Sequence, residues 1–308
     1  MNQLTRSLTA AYCLAALGLS AVLGTAGCPA NNPGGGEAAS VESGQHGTGG
    51  SAIRAVSLVP SVSELVYAIG AQMALVGRST YCNYPPDVVS LPAAGTALTP
   101  DMETLIALST THVLAPVDQQ TAPWVQSLAG LQITYVAVPD RRLDDVPVAM
   151  NLLGEVLEVR EQAAAASAAF SGRLRGLRAR TPAGPGVPTL IVVGMDPLFV
   201  AGGDSRMNEL LELAGGTNVV EQGDWVQLEA ESLLAADPAL IVTLGPADVD
   251  QWTRRFPRVR AVAQGSLCAV DADRISRPGP RILDSVDELA ACVRMATMPA
   301  PSGPTRSE

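Results

Sequence analysis

The sequence predicts two similar α/β lobes joined by a long, rigid helical segment. Three observations carry this fold class. A strand–helix phrase occurs twice, far apart in the chain. A second phrase of short helix, polar turn and buried strand also occurs twice, with no gap between its copies. Between the two halves lies a helix-prone run rich in Ala, Arg and Leu. A helix of ~20 residues spans about 30 Å, enough to bridge two lobes that then hinge little.

The first phrase begins at Ala55-Val56-Ser57-Leu58-Val59, a short β-rich run closed by Pro60. Ser61 opens an amphipathic helix through Gly70, with Glu64 three residues on as a capping box. Its second copy has the buried-type strand Thr189–Val193, a Gly202-Gly203 turn and a helix opened by Ser205. Placed together, Glu64-Leu65-Val66 followed by Gly70 matches Glu209-Leu210-Leu211 followed by Gly215. The second phrase runs from Glu103-Thr104-Leu105-Ile106-Ala107 into His112-Val113-Leu114-Ala115. It recurs from Glu231-Ser232-Leu233-Leu234-Ala235 into Leu240-Ile241-Val242-Thr243. Between the halves, Asp144 and Asp145 with Pro147 make a helix start whose anionic first turn suits the dipole. From Arg160 the chain is helix-prone to Arg180, and Pro182, Gly184, Pro185 and Gly186 stop it. The expected organisation is an N-terminal lobe over 53–140, a bridging segment over 141–182 and a C-terminal lobe over 188–298.

The flanks read differently. Residues 1–28 form a secretory signal: Arg6 is the single charge, and the apolar run from Leu8 to Leu23 is short for a membrane span. Leu23-Gly24-Thr25-Ala26-Gly27-Cys28 resembles a bacterial lipobox, which makes Cys28 the lipidated residue and the protein lipid-anchored in the periplasm or cell envelope. Residues 29–52 are expected to be a flexible tether; ~23 such residues reach roughly 25 Å root-mean-square. His46 lies in this tether. The tail 299–308 is expected to fray.

Composition excludes several classes of function. The 308 residues carry a formal charge of −10, against clustered phosphate neutralisation of nucleic acid. All 20 basic residues are Arg, which removes the P-loop lysine, the Schiff-base lysine and the Ser–Lys dyad. Two histidines, His46 and His112, do not make a multi-His metal site. His112 opens an apolar strand and reads as a core or edge histidine. No nucleophile-elbow or dinucleotide glycine pattern is present, so no catalytic residue, metal site or cofactor is expected. After the signal, Cys82, Cys268 and Cys292 leave an odd count in an oxidising compartment. Cys82 reads as a small buried hydrophobe; a disulfide between Cys268, on a strand, and Cys292, in the last helix, is conceivable.

Six segments occur in the order seen in one family: SLVPSVSELVYAIG, ALVGRSTYCNYPP, DMETLIAL, DPLFVAGGDSRMNELLELAGGTNVV, DWVQLEAESLLAADPALIV and RPGPRILD. Over residues 53–296 the chain resembles the helical-backbone (class III) periplasmic binding proteins of ABC importers, and within them the cobalamin-binding branch. The resemblance implies two Rossmann-like lobes with ligand in the cleft between them. It implies that a surface Glu on each lobe, Glu103 and Glu231, docks onto the arginines of the permease. It places Tyr81, Phe199, Trp225 and Arg277 on cleft positions, with the aromatics expected in loops beside Pro or Gly. Tyr84 anchors the Tyr-Pro-Pro turn. Arg277 and Arg281 either contact ligand amides or pin the turn into the last helix; the reading assigns Arg277 to ligand and Arg281 to structure. The chain departs from that branch at Ala97 and Arg274, where the branch carries tryptophan. The function implied is capture of cobalamin or a related corrinoid, by a monomer, for delivery to an ABC importer. Haem or a ferric siderophore is the alternative if Arg78, Arg274, Arg277 and Arg281 converge on an anion, and an extracytoplasmic enzyme on the same scaffold is a second.

Overall fold

The computed structural model describes residues 53–297. The signal, Cys28, the tether with His46, and the tail lie outside the described residues.

The first sheet has four parallel strands, β1 (Ala55–Ser57), β2 (Leu75–Arg78), β3 (His112–Pro116) and β4 (Thr134–Val138), in the order β2-β1-β3-β4. Helices α1 (Pro60–Ala68), α2 (Met102–Ala107) and α3 (Pro123–Gly130) connect them. Next come α4 (Asp145–Val156) and α5 (Arg160–Arg180). The second sheet contains β5 (Val187–Met195), β6 (Leu198–Ala201), β7 (Gly216–Asn218), β8 (Trp225–Gln227), β9 (Leu240–Leu244) and β10 (Leu267–Val270). Its helices are α6 (Arg206–Leu213), α7 (Ala230–Ala236), α8 (Val249–Arg255), α9 (Arg260–Ala263), α10 (Ala272–Ser276) and α11 (Ser285–Thr297).

The sequence repeat is a repeat of strand pairing. Ala55 pairs with His112 in the first sheet, and Thr189 pairs with Leu240 in the second. The parallel neighbours of β5 are β7 and β9, with β10 beyond β9. The order β7-β5-β9-β10 therefore reproduces β2-β1-β3-β4. Within the repeated helices, Leu105 and Leu233 are both fully buried, and Ser109 and Asp237, six residues after Glu103 and Glu231, both turn with positive φ. The second lobe adds one thing: the antiparallel strands β6 and β8, which extend β5 over its last five residues.

The helix after β1 does not start as the sequence pattern suggests. Pro60 occupies its first turn, Val59 is the cap, and no side chain caps it. Pro fits the first helical position, where its missing N–H would have had no partner within the helix, and Glu64 is drawn into a buried ion pair described below. Ser205 does cap α6, accepting from the Asn208 backbone N–H, and Asp101 caps α2 through Thr104.

The bridging segment is an antiparallel helical hairpin. Asn151 Nδ2 donates to Ser167 Oγ at 3.0 Å, and Asp144 takes two bonds from Arg178. At its turn, a Cβ on Gly154 would come within 2.2 Å of Ala163 Cβ, so glycine sets the approach of the two helices. One apolar core runs from α1 (Val62, Leu65) through the hairpin (Leu153, Phe170, Leu174) to the second lobe (Ile191, Leu210, Leu289). Smaller cores close the outer faces: Val56, Leu105 and Val113 in the first lobe, Leu190, Trp252 and Phe256 in the second. A disulfide joins Cys268 on β10 to Cys292 on α11. His112 is half-buried with its Nδ1 at 2.9 Å from Thr111 Oγ1, and burial holds its pKa below the usual histidine value.

Replacing Gly154 by Ala is expected to cost about 1–3 kcal/mol through overpacking. Urea denaturation reads the loss, and the double change with Ala163→Gly is expected to restore most of it.

Candidate functional site

The parallel strands of both sheets end toward the region where the lobes meet, which in open α/β sheets is where ligands bind. Three groups of side chains lie at or beside the contacts between the lobes.

The first is an aromatic face. β6 and β8 pair with Phe199 opposite Gln227 and Ala201 opposite Trp225. Strand alternation puts those four on one side and Val200 with Val226 on the other, against the core. Phe199 and Trp225 are diagonal neighbours, close enough for large side chains to share a surface, and they are 38% and 49% exposed. These two aromatics thus lie on strands, where the sequence reading expected loops; the short antiparallel ribbon has too little alternation to be seen as strand. Gly202 and Gly203, past the end of β6, lie against the backbone of Glu221–Gly223, where a Cβ would approach carbonyl oxygens to 2.3 and 2.0 Å. Gln227, beside Phe199, was not singled out by sequence.

The second group closes the base of the cleft. Trp225 and Asp224 border a cavity of about 150 Å³ with Arg206 from the second lobe, Asp118 and Asp140 from the first, and Arg141 at the start of the bridging segment. Arg206 donates to the carbonyls of Asp140 and Arg141 in the first lobe, and to that of Ser276 at 2.9 Å. Burial lowers its pKa and raises that of Asp140, each partly offset by the other's charge. Tyr135 donates to the Pro116 carbonyl at 2.6 Å, and burial pushes its phenol up to about 12. Arg206 carried an unread signal: a cation in the first turn of a helix opposes the dipole, so it stands there for a tertiary contact. A larger hollow of about 420 Å³, lined by Glu155, Glu158 and Arg160 at the hairpin turn, includes none of these aromatics.

The third group ties the lobes at the other rim. Glu64 of α1 has a side chain 1% exposed. It accepts from Arg281 Nε and Nη2 at 2.9 and 2.7 Å and from Arg277 Nη1 at 3.2 Å. The Glu64 bond raises the Arg281 pKa, and the Arg281 guanidinium lies 3.6 Å over the Tyr84 ring. Arg277 also donates to Asn83 at 2.6 Å and pairs with Asp273 at 2.7 Å. Asn83 lies two residues past Tyr81, a residue 70% exposed. The Tyr81 loop is held from beneath: its backbone N–H donates to buried Ser79, and buried Cys82 lies 3.1 Å from Ser63 on α1. Burial raises the Cys82 thiol pKa, so it stays protonated.

The structure thus joins Phe199 with Trp225, and Tyr81 with Arg277 through Asn83. The four arginines named for an anion do not converge free. Arg78 bonds the carbonyls of Ser79 and Val89, Arg274 pairs with Glu288 and Asp271, and Arg277 and Arg281 share Glu64. Ala97, a tryptophan in the cobalamin-binding branch, is buried in the first lobe's core. Glu103 and Glu231 are both exposed, each in the first turn of its short helix, with exposed Ile106 and Leu234 beside them.

Against known proteins, a family model described as "Periplasmic binding protein" matches residues 56–272. A curated "Vitamin B12-binding protein" of Yersinia pestis (strain Pestoides F) is 28% identical over 250 residues, 80% of this chain and 88% of that one. The crystal structure of the periplasmic vitamin B12 binding protein BtuF of Vibrio cholerae superposes with a TM-score of 0.70 at 24% identity, over 80% of this chain and 98% of that one. A periplasmic heme binding protein from Pseudomonas aeruginosa gives a TM-score of 0.70 at 26% identity, over 80% and 94%.

Truncating Glu64 to Ala leaves two guanidinium groups without their buried partner. The expected cost is about 3–5 kcal/mol, as for breaking a buried pair from one side, read as a lower denaturation midpoint.

Proposed function

Because the chain belongs to the periplasmic binding protein family, we propose that it captures cobalamin or a related corrinoid between its two lobes and delivers it to an ABC importer. In this reading Cys28 carries the lipid that tethers the protein at the membrane, and the ligand-bearing body, 53–298, works as a monomer. Phe199 and Trp225 offer one flat apolar surface to the macrocycle and Tyr81 another, while Arg277 meets a side-chain amide. Glu103 and Glu231, at equivalent places on lobes that share one core, form a two-point anionic plug for permease arginines.

The observation that carries the choice of ligand is that Arg274, Arg277 and Arg281 are already paired with carboxylates and Arg78 is bonded to two carbonyls, while the cleft base sets three carboxylates, Asp118, Asp140 and Asp224, beside Arg141 and Arg206. Haem propionates and ferric catecholates require free cations; a corrinoid edged with neutral amides does not, and carboxylates accept its N–H groups. The heme-binding relative keeps haem as the second reading, and a named enzyme activity has no residues to support it.

Titration of the body with cyanocobalamin, cobinamide and haemin in parallel tests this, read by Trp fluorescence and calorimetry. The expected result is one-to-one corrinoid binding, retained without turnover; binding of haemin alone would move the chain to the haem reading. Trp225→Ala is expected to weaken corrinoid binding by about 2–4 kcal/mol, as for a buried aromatic anchor. Glu103→Arg with Glu231→Arg is expected to abolish ligand delivery in a vesicle uptake assay while the ligand affinity stays unchanged.

A further inference from the structure

The repeat sets the connection from β3 to β4 in the first lobe against that from β9 to β10 in the second, and the two differ sharply in charge. The first, residues 117–133, holds no arginine and one carboxylate, Asp118. The second holds Arg254, Arg255, Arg258 and Arg260 in close succession, in a chain whose formal charge is −10. Packing fixes where they face. Trp252, Phe256 and Val259 are buried in the outer core of the second lobe, and Arg254, Arg255, Pro257, Arg258 and Arg260 around them are exposed. Arg255 pairs with Asp196 at 3.0 Å and donates to the Met195 carbonyl, and Arg260 lies 3.7 Å from the Asp237 carboxylate and donates to its carbonyl. Arg254 and Arg258 have no such partner among the described residues. The dipole at the C-terminal end of α8 suits Arg254 and Arg255. It does not account for Arg258, which lies past that helix, nor for Arg260, a cation in the first turn of α9. Arg260 also fixes the patch beside α7: Asp237 is the C-cap of the helix whose first turn carries Glu231, about 10 Å away along an axis rising 1.5 Å per residue.

We propose that this edge of the second lobe is a contact surface for anionic phospholipid headgroups of a bilayer, with Arg254 and Arg258 as its free cations. A protein partner needs an apolar centre that it can bury within a polar rim. Here the free arginines are flanked by Thr253, Pro257 and other charges, and Val249, the aliphatic residue of α8, lies at the opposite end of that helix. A surface of phosphate esters requires no such centre, because the guanidinium fork matches phosphate oxygens directly. Attraction between exposed charges reaches about 10 Å at 0.1 M salt. Carboxylates elsewhere on the protein are screened at that distance, so a chain of negative net charge can still lay one basic edge on an anionic bilayer. The first lobe has no counterpart, so the contact tilts the second lobe toward the lipid. The proposal goes beyond the reading of Glu103 and Glu231 as permease contacts and does not depend on it.

The test uses the mature chain, residues 28–308, with Cys28→Ser so that no lipid is attached. It is sedimented at 0.1 M salt with phosphatidylcholine vesicles and with vesicles of equal parts phosphatidylcholine and phosphatidylglycerol, neither containing a permease. An arginine held at an anionic surface adds about fivefold to partitioning, so two unpaired ones give a preference of about twentyfold for the anionic vesicles. Arg254→Gln with Arg258→Gln, both exposed and unpaired, is expected to lose that preference. Arg175→Gln with Arg180→Gln changes the net charge equally at exposed positions on α5 and is expected to keep it. Equal partitioning of the unsubstituted chain onto both vesicles overturns the proposal, as does an equal loss in the two double variants. If the chain ignores both vesicle types and Arg254→Gln with Arg258→Gln instead fails in the vesicle uptake assay, the patch meets the importer, and the lipid contact is overturned while the permease reading stands.

Discussion

A carboxylate taken almost wholly out of water joins the halves of this protein. Glu64 sits on the first helix, and its partners Arg277 and Arg281 lie more than two hundred residues later. An isolated buried carboxylate is strongly unfavourable, so the chain must bring those guanidiniums to it. Arg281 grips it with two bonds, and its own planar face rests on Tyr84. Gly279, between the two arginines, lies against the carboxylate: a Cβ there would make ordinary contact with Glu64 Oε2 at 3.4 Å. The orientation of Arg277 follows from this contact, that of Asp273 from Arg277, and that of Asn83 and the Tyr81 loop from both. One ion pair thus organises the rim of the cleft on both lobes.

The repeated halves explain what is shared, and the insertion explains what is not. The common strand order fixes equivalent places for Glu103 and Glu231, and equivalent turns at Ser109 and Asp237. Glu64 and Glu209, matched in the first phrase, both turn to arginine at the lobe junction, Glu209 meeting Arg142 at 3.4 Å. Only the second lobe carries the β6–β8 ribbon, and that ribbon bears Phe199 and Trp225. Duplication gives the two lobes equivalent surface positions; the ribbon gives the second lobe an exposed aromatic face that the first does not share.

The repeat, the bridging helices and the strand–helix placement of Cys268 and Cys292 were legible because each rests on local pattern: apolar period, caps, breakers. The Glu64 ion pair was not. The Ser-x-x-Glu spacing imitates a capping box, and the competing signal is Pro60, which favours the first helical position and so starts the helix ahead of Ser61. Arg206 could have been suspected from its place at a helix N-terminus, though its partners, the carbonyls of Asp140 and Arg141, have no sequence signature at all. Asn83 is an ordinary loop residue until the fold sets it against α10. Long-range polar contacts of this kind depend on where the lobes meet, which no local window contains.

The continuous core limits how ligand can enter. Residues of α1, the α4–α5 hairpin, α6 and α11 pack into one apolar cluster that crosses from lobe to lobe. Opening the lobes widely would expose part of it, and even about 200 Å² of apolar surface costs ~5 kcal/mol at 25 cal/mol per Å². The Arg206 contacts to first-lobe carbonyls and the Glu64 ion pair would have to break as well. The contacts of Asn83 are different: they are exposed at the rim, and water can replace each bond as it opens. The least costly motion at the lobe junction is therefore local, in the loop bearing Tyr81 and Asn83. Lobes that share this core keep Glu103 and Glu231 at a fixed separation.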